Sequence, residues 1–251
     1  MAIALPALPP ARAAASPRPS ALRLPPRAAP DGELRIDVIA RAPEAAPGAR
    51  RGKAVAGPGL GVSGVVRALE GACGGLAVGD AVWGVVEPGR PRTGATLALR
   101  AARAARKPRT LDFAEAAAVV ADAATAWLML FRHGRAERGE RVAVLGADTR
   151  VGALAVRLAR AEDLDVRTVS AGSPAFTDSC RQASVVIDTL GGTAQLRALL
   201  SLESGAILVS CAADPDLGFA ARPHVRAERV VPEATAALLR TLAERFDGGC
   251  P

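Results

Sequence analysis

Tyrosine is absent from these 251 residues, and aromatic side chains make up only 3% of them. A catalytic tyrosine is therefore excluded, and any core has to be built from Ala, Val and Leu. Histidine occurs only as His133 and His224, with no spacing that would form a metal set or a nucleophile triad. Cys73, Cys180, Cys211 and Cys250 are widely scattered, without a C-x-x-C pair or a neighbouring His, which removes the usual zinc patterns and reads as reduced thiols. Lysine is confined to Lys53 and Lys107, so the net charge of +7 is almost entirely arginine. Arg12, Arg18, Arg23 and Arg27 precede the first acid, Asp31, and setting them aside leaves +3 for the rest. No recognition motif or interleaved aromatics accompany this charge, so nucleic acid is not an expected partner. No apolar run approaches the roughly 20 residues of a bilayer span, and no transmembrane segment is expected.

What is present is apolar: half of the residues, enough for a sizeable core. Residues 1–30 are rich in Ala, Pro and Arg, contain Ser16 and Ser20, and lack any acid. Two readings stand for them, a targeting segment for the mitochondrial matrix and a disordered Pro/Ala tail with no address.

Alternation of Leu34, Ile36 and Val38 predicts a strand over Glu33–Ala40, followed by a Pro/Gly/Ala-rich stretch to Gly61. Further strands are predicted over Val62–Ala68 and Ala81–Val86, with Gly79-Asp80 as a turn. Asp112 and Glu115 have the spacing of a capping box, opening an Ala-rich helix that continues to Phe131. Arg141–Leu145 then reads as a strand, Gly146–Arg150 as a turn and Val151–Ala161 as a helix. Strands at Val166–Ser170, Val185–Leu190 and Ala206–Cys211 alternate with helices at Ala175–Gln182 and Ala194–Leu202, and a last helix covers Glu233–Phe246. Strands alternating with helices imply an α/β fold with a parallel sheet covered on both faces.

The corner from Val142 to Gly152 carries the strongest chemical signal. A pyrophosphate rests on exposed backbone N–H groups at a helix start, so small residues are needed there. Gly146 and Gly152 stand at the two ends of a six-residue spacing, but the middle position is Thr149, whose branched side chain occupies space where close approach is wanted. Arg150 has two readings, a phosphate partner or a solvated loop residue. The second strand of the unit ends without the acid that accepts from an NAD ribose, and with Arg167, Ser170 and Ser173 nearby it favours NADPH. Asp188 ends a buried-looking strand, where a loop-anchoring role competes with catalysis. No general acid is assigned.

The runs VSGVV at Val62, VGDAVWG at Val78, KPRTLDFAEAAAV at Lys107, TAW at Thr125, GERVAVLGA at Gly139 and VIDTLGG at Val186 follow one another in the order and approximate spacing of a known family. In these runs the chain resembles the zinc-free medium-chain dehydrogenases/reductases of the quinone oxidoreductase type. The interval from Trp83 to Lys107-Pro108 and the late run from His224 to Pro232 look most like their mitochondrial reticulon-4-interacting protein branch. The resemblance implies a shortened Rossmann-like parallel sheet packed beside a truncated GroES-like β domain. It divides the chain into 1–30, a targeting segment or tail; 31–120, the β-rich domain; 121–230, the dinucleotide-binding domain; and 231–251, a C-terminal helix returning to the catalytic domain. It also implies metal-free hydride transfer from NADPH to a small quinone or enone, in a chain that pairs as a homodimer. Gly146, Ala147, Thr149, Arg150, Val151 and Gly152 would hold the pyrophosphate, Ser170 and Ser173 the adenosine end, and Leu190, Gly191 and Gly192 the ribose-nicotinamide side. Thr125 would lie near the nicotinamide, or simply pack its helix on the sheet.

The chain departs from this family in four places, one of them Gly61, where the family has an acidic residue two positions before Ser63. The family's Asn-Pro-x-Asp is replaced at best by Ala42-Pro43-Glu44. The loop glycines expected at Thr149 and Arg150 are missing. The stretch from Ser173 to Ser184 is too short for one helix and the outermost strand of the sheet. A relative that keeps the fold but has lost productive cofactor binding, acting as an interaction or assembly protein, is therefore the rival reading.

Overall fold

A computed structural model describes residues 32–43, 59–215 and 225–249. The proposed targeting segment, Glu44, His224 and Cys250 lie outside the described residues.

Alternating side chains generate the first sheet. β1 (Glu33–Arg41), β2 (Leu60–Glu70), β3 (Ala81–Val86), β4 (Thr96–Arg100) and β5 (Ala104–Arg106) lie in the order β4-β1-β2-β3-β5, with neighbours antiparallel. Leu34, Ile36, Val62, Val66, Val82, Leu97 and Leu99 point to one side and bury one another, as a period of two requires. β5, Ala-Ala-Arg, is too short to be predicted from pattern, and β4 alternates Leu97 and Leu99 without being among the strands expected from the sequence. They form by adding to edges that β1 and β3 already present.

Between the sheets runs α1 (Phe113–Trp127), continued by π-helical turns through His133. Its capping box closes as predicted: Glu115 N donates to Asp112 at 2.7 Å, and Asp112 N donates to Glu115 at 2.8 Å. Its buried face is largely alanine, which lets β2 approach until a Cβ on Gly61 would stand 2.3 Å from the Ala117 carbonyl oxygen. Close backbone packing thus replaces the missing aromatics. The whole helix Phe113–His133 is long and apolar enough to cross a membrane, a length the sequence was not expected to reach, yet 61% of its most apolar stretch is buried inside the protein. It is the central core helix.

The second sheet is parallel: β6 (Arg141–Leu145), β7 (Asp165–Val169), β8 (Val185–Asp188), β9 (Ile207–Ser210) and β10 (Arg226–Arg229), in the order β10-β9-β8-β6-β7. Val142 and Val144 face α1 and α2 (Arg150–Ala161), whereas Ala143 and Leu145 face α3 (Phe176–Arg181) and α4 (Gly192–Ser201). The expected α/β architecture is therefore observed, with a Rossmann-like parallel sheet beside an antiparallel one. Among the described residues β7 is an edge strand. After it only the six-residue α3 intervenes before the chain crosses β6 to form β8, in keeping with the absence of an outermost strand.

Helix α5 (Ala236–Asp247) packs Leu238, Leu239, Leu242 and Phe246 into the cluster that holds Trp83 and Val85 of the first sheet. Asp247 fastens its end by accepting from the amides of Arg109 at 2.6 Å and Thr110 at 3.2 Å. Burial pushes the Asp247 carboxyl up, but those two amides and the Arg109 guanidinium outweigh it and hold the group below the usual value.

Candidate dinucleotide site

The order of the parallel sheet defines one place where connections diverge. From β6 the chain passes to β7 on one side and then returns to β8 on the other, so the carboxyl ends of β6 and β8 flank a topological switch point. Gly146–Thr149 leaves β6 there, and Thr189–Gly191 leaves β8. Sequence-predicted residues from two separate motifs are thereby brought together.

Two glycines make this corner. Gly146 has φ +80°, and a Cβ on it would stand 2.4 Å from the Thr189 hydroxyl. A Cβ on Gly152 would stand 2.1 Å from the carbonyl oxygen of Gly146, so the first turn of α2 touches the backbone of the loop. Thr149 is the N-cap: its hydroxyl accepts from Gly152 N at 3.0 Å. It lies 2.9 Å from the Thr189 hydroxyl, which in turn is 2.8 Å from the Leu145 carbonyl. The Thr149 hydroxyl also lies 2.8 Å from the Gly146 carbonyl oxygen and the Thr189 hydroxyl 3.1 Å from it, so the two hydroxyl protons serve the carbonyls of Leu145 and Gly146 and each other. This chain of bonds ties the two loops across the switch point. Thr149 N is also bonded to Gly146 O, at 3.0 Å. The amides of Arg150 and Val151, the first two of α2, have no acceptor available within the helix.

Arg150 is directed elsewhere. Its Nε lies 2.9 Å from the carboxylate of Asp122 on α1. Burial pushes the Asp122 carboxyl up, and Arg150 offsets only part of that. An acid whose folded pKa is raised adds stability only while protonated, so this contribution is complete below 3.8 and is lost as pH rises through the folded value. Asp122→Asn is therefore expected to gain stability relative to the parent as pH rises through that window, with the difference constant above it. Urea melts at stepped pH measure this, and a difference that shrinks with rising pH would contradict it.

Asp188 anchors the second loop. Its buried carboxylate accepts from Leu190 N at 3.0 Å, Gly191 N at 2.9 Å, Gln195 Nε2 at 2.9 Å and Ser210 Oγ at 2.8 Å. Ser210 Oγ also receives Ala212 N at 3.1 Å, so the loops after β8 and β9 are set by one network. Gly191 and Gly192 have φ +67° and +59°, which this strand-to-helix turn requires. Cys211 follows Ser210, and burial together with the charge of Asp188 pushes its thiol up to about 12, so it is not a nucleophile at neutral pH.

Of the remaining predicted positions, Thr125, Ser170 and Ser173 stand apart from these bonds. Thr125 is buried and its hydroxyl donates to Ala121 O within its own helix, at 2.9 Å. Ser170 is exposed, and Ser173 Oγ accepts from Ala175 N at 3.2 Å. Leu190 is half-buried beside Gly146. His133 pairs with Glu228 on β10 at 2.9 Å. Thr189 and Asp122 were missed by sequence reasoning. Nothing local marks either, because each acquires its partner only when separate elements pack.

No family model and no curated protein matches this chain. Solved structures share its fold. An alcohol dehydrogenase superfamily protein from Novosphingobium aromaticivorans superposes with a TM-score of 0.69 at 20% identity, covering 90% of this chain and 79% of its own. The quinone oxidoreductase from Coxiella burnetii gives 0.66 at 19% identity, covering 87% and 80%. A quinone oxidoreductase from Pseudomonas syringae gives 0.66 at 20%, covering 90% and 82%. The architecture is thus that of the alcohol dehydrogenase and quinone oxidoreductase folds. At these identities the likeness is one of fold.

Proposed function

We propose that this chain is a metal-free oxidoreductase that binds NADPH at the switch point and reduces a small quinone or enone. The observation that carries the reading is the corner made by Gly146 and Gly152, where a Cβ at either position would strike the loop and where the amides of Arg150 and Val151 are left without helical acceptors. Similar folds in proteins described as quinone oxidoreductases support it.

The residues fit a dinucleotide in part. The amides of Arg150 and Val151 would receive the pyrophosphate, and Gly191 and Gly192 leave the nicotinamide-ribose side free of side chains. Ser170 and Ser173, at the end of β7, would border the adenosine, on a side the missing strand leaves open. When bound, the cofactor supplies the hydride. The chain's own part is to position the reactants and keep water out. Residence in the mitochondrial matrix, kinship with the reticulon-4-interacting protein branch and pairing as a homodimer belong to the same proposal and rest on the sequence. The neighbouring folds do not single out that branch.

A second reading, a relative with impaired cofactor binding that serves as an interaction protein, is favoured by one feature. Thr149 consumes the Gly152 amide and fills the middle of the corner. Thr149→Gly separates the two readings. Glycine at an N-cap costs only a few tenths of a kcal/mol, and freeing one donor contributes about 0.5–1.5 kcal/mol. NADPH is expected to bind about 2–10-fold more tightly to the variant, followed by nicotinamide fluorescence. Unchanged or weaker binding would show that Thr149 does not obstruct the site.

A further inference from the structure

The ion pair of Asp122 and Arg150 stands at the phosphate corner, and its two members are unequally placed. The Asp122 side chain is 15% exposed, on a core helix, whereas the Arg150 side chain is 60% exposed, at the first position of α2. The guanidinium is therefore the member that can leave. It does so by rotating about its own side-chain bonds, while the backbone of the corner stays in place. The amide of the same residue is one of the two without a helical acceptor, so an anion received there lies beside the side chain that Asp122 now holds.

What holds Arg150 back is the cost to Asp122. Burial pushes that carboxyl up, and the Arg150 charge opposes the push. With Arg150 withdrawn, the buried carboxylate is uncompensated and is neutralised by taking a proton.

The other elements packed on α1 bring no cation to replace it. The charges of β1 and β2 pair with each other, Arg35 with Glu70 and Arg67 with Asp37, and β3 carries none. On α5, Arg245 pairs with Glu162, while Arg240 and Glu244 line a cavity shared with β5. The π-helical turns after α1 send Arg132 to Glu233 and His133 to Glu228. On α1 itself Asp112 and Glu115 are bound to each other's amides in the cap. The segment after β9 brings Cys211, whose thiol burial, Asp188 and Asp122 together push up to about 12, so it stays neutral. Asp148, in the loop before Arg150, is exposed and adds only negative charge.

We propose, resting on the reading of this corner as a pyrophosphate site, that Arg150 is the cofactor's anion clamp, exchanged from Asp122 to the pyrophosphate, and that Asp122 takes up a proton from solvent as Arg150 leaves. Asp122 is thus a competitor for the clamp. Uptake is largest between the Asp122 pKa with Arg150 in place and the higher one after it leaves, and vanishes well above both. Across that window binding tightens as pH falls.

The test is calorimetric titration of the full chain with NADP+, at stepped pH and in buffers of different ionisation enthalpy, which counts the protons bound. The 2′-phosphate of the ligand also titrates, and Asp122→Asn subtracts it, because that contribution is common to both proteins. The parent is expected to take up more protons than Asp122→Asn within the window. Asp122→Asn should bind NADP+ about 3–10-fold more tightly at neutral pH, and Arg150→Gln about tenfold more weakly. In an Arg150→Gln background Asp122→Asn should change nothing, since Asp122 acts only through the guanidinium. No saturable binding of NADP+ to the parent or to Asp122→Asn removes the site, and the exchange with it. Saturable binding that Arg150→Gln leaves intact, or equal proton counts for the parent and Asp122→Asn, overturns the exchange alone and leaves the site standing.

Discussion

Replacing Asp188 with alanine is expected to lower the melting midpoint by roughly 6–20 °C. Four donors converge on that carboxylate, two of them loop amides and two of them side chains buried with it. Leaving buried donors without an acceptor costs about 1–3 kcal/mol each. The amides of Leu190 and Gly191 recover part of this from water once their loop loosens, so about 3–5 kcal/mol is the expected net loss, which a chain of this size shows as about 2–4 °C per kcal/mol. Asp188→Asn keeps one acceptor oxygen and should lose about half as much. Calorimetric melts of both variants provide the check. A midpoint within about 2 °C of the parent for the alanine variant would mean that the four bonds are not made together.

Gly152→Ala is expected to be the most damaging change at the phosphate corner. The added Cβ would stand 2.1 Å from a backbone carbonyl oxygen, not from the end of a flexible side chain, so either α2 or the loop must move. Overpacking of this kind costs about 1–3 kcal/mol. Moving the first turn of α2 also takes the Arg150 and Val151 amides out of line, and NADPH binding should weaken at least tenfold. Gly172→Ala is the matching control, because a Cβ there meets nothing within 4 Å and its φ is not left-handed. It should leave stability unchanged. Equal behaviour of the two alanine variants would show that the close approach at Gly152 is not used.

Much of the fold follows from pattern, because its period is local. Val142 and Val144 against Ala143 and Leu145 already separate two faces, and the capping box at Asp112 and Glu115 fixes where α1 starts. Strands β5 and β10 escape that logic. β5 has three residues and β10 is Arg-Ala-Glu-Arg, so neither carries an apolar pattern, whereas the alternation of Leu97 and Leu99 in β4 is there to be read. The site is legible at its glycines and illegible at its bonds. Thr149 reads from sequence as bulk in a tight corner, whereas in the structure it caps α2 and reaches Thr189. Arg150 reads as a phosphate partner or a solvated side chain, and packing of α1 on α2 gives it Asp122 instead. Asp188 reads from sequence as an anchor or a catalytic acid, and the geometry has its four lone-pair directions occupied by donors. Thr125 likewise spends its hydroxyl on its own helix.

Binding of the reduced cofactor is the most direct measurement. Purified full-length chain is titrated with NADPH and, in parallel, NADH, while nicotinamide fluorescence is followed. Saturable binding of NADPH, tighter than NADH, weakened by Gly152→Ala and strengthened by Thr149→Gly, is the predicted result. No saturable binding of either nucleotide at millimolar concentration, in the parent and in Thr149→Gly alike, would contradict a dinucleotide site at this corner.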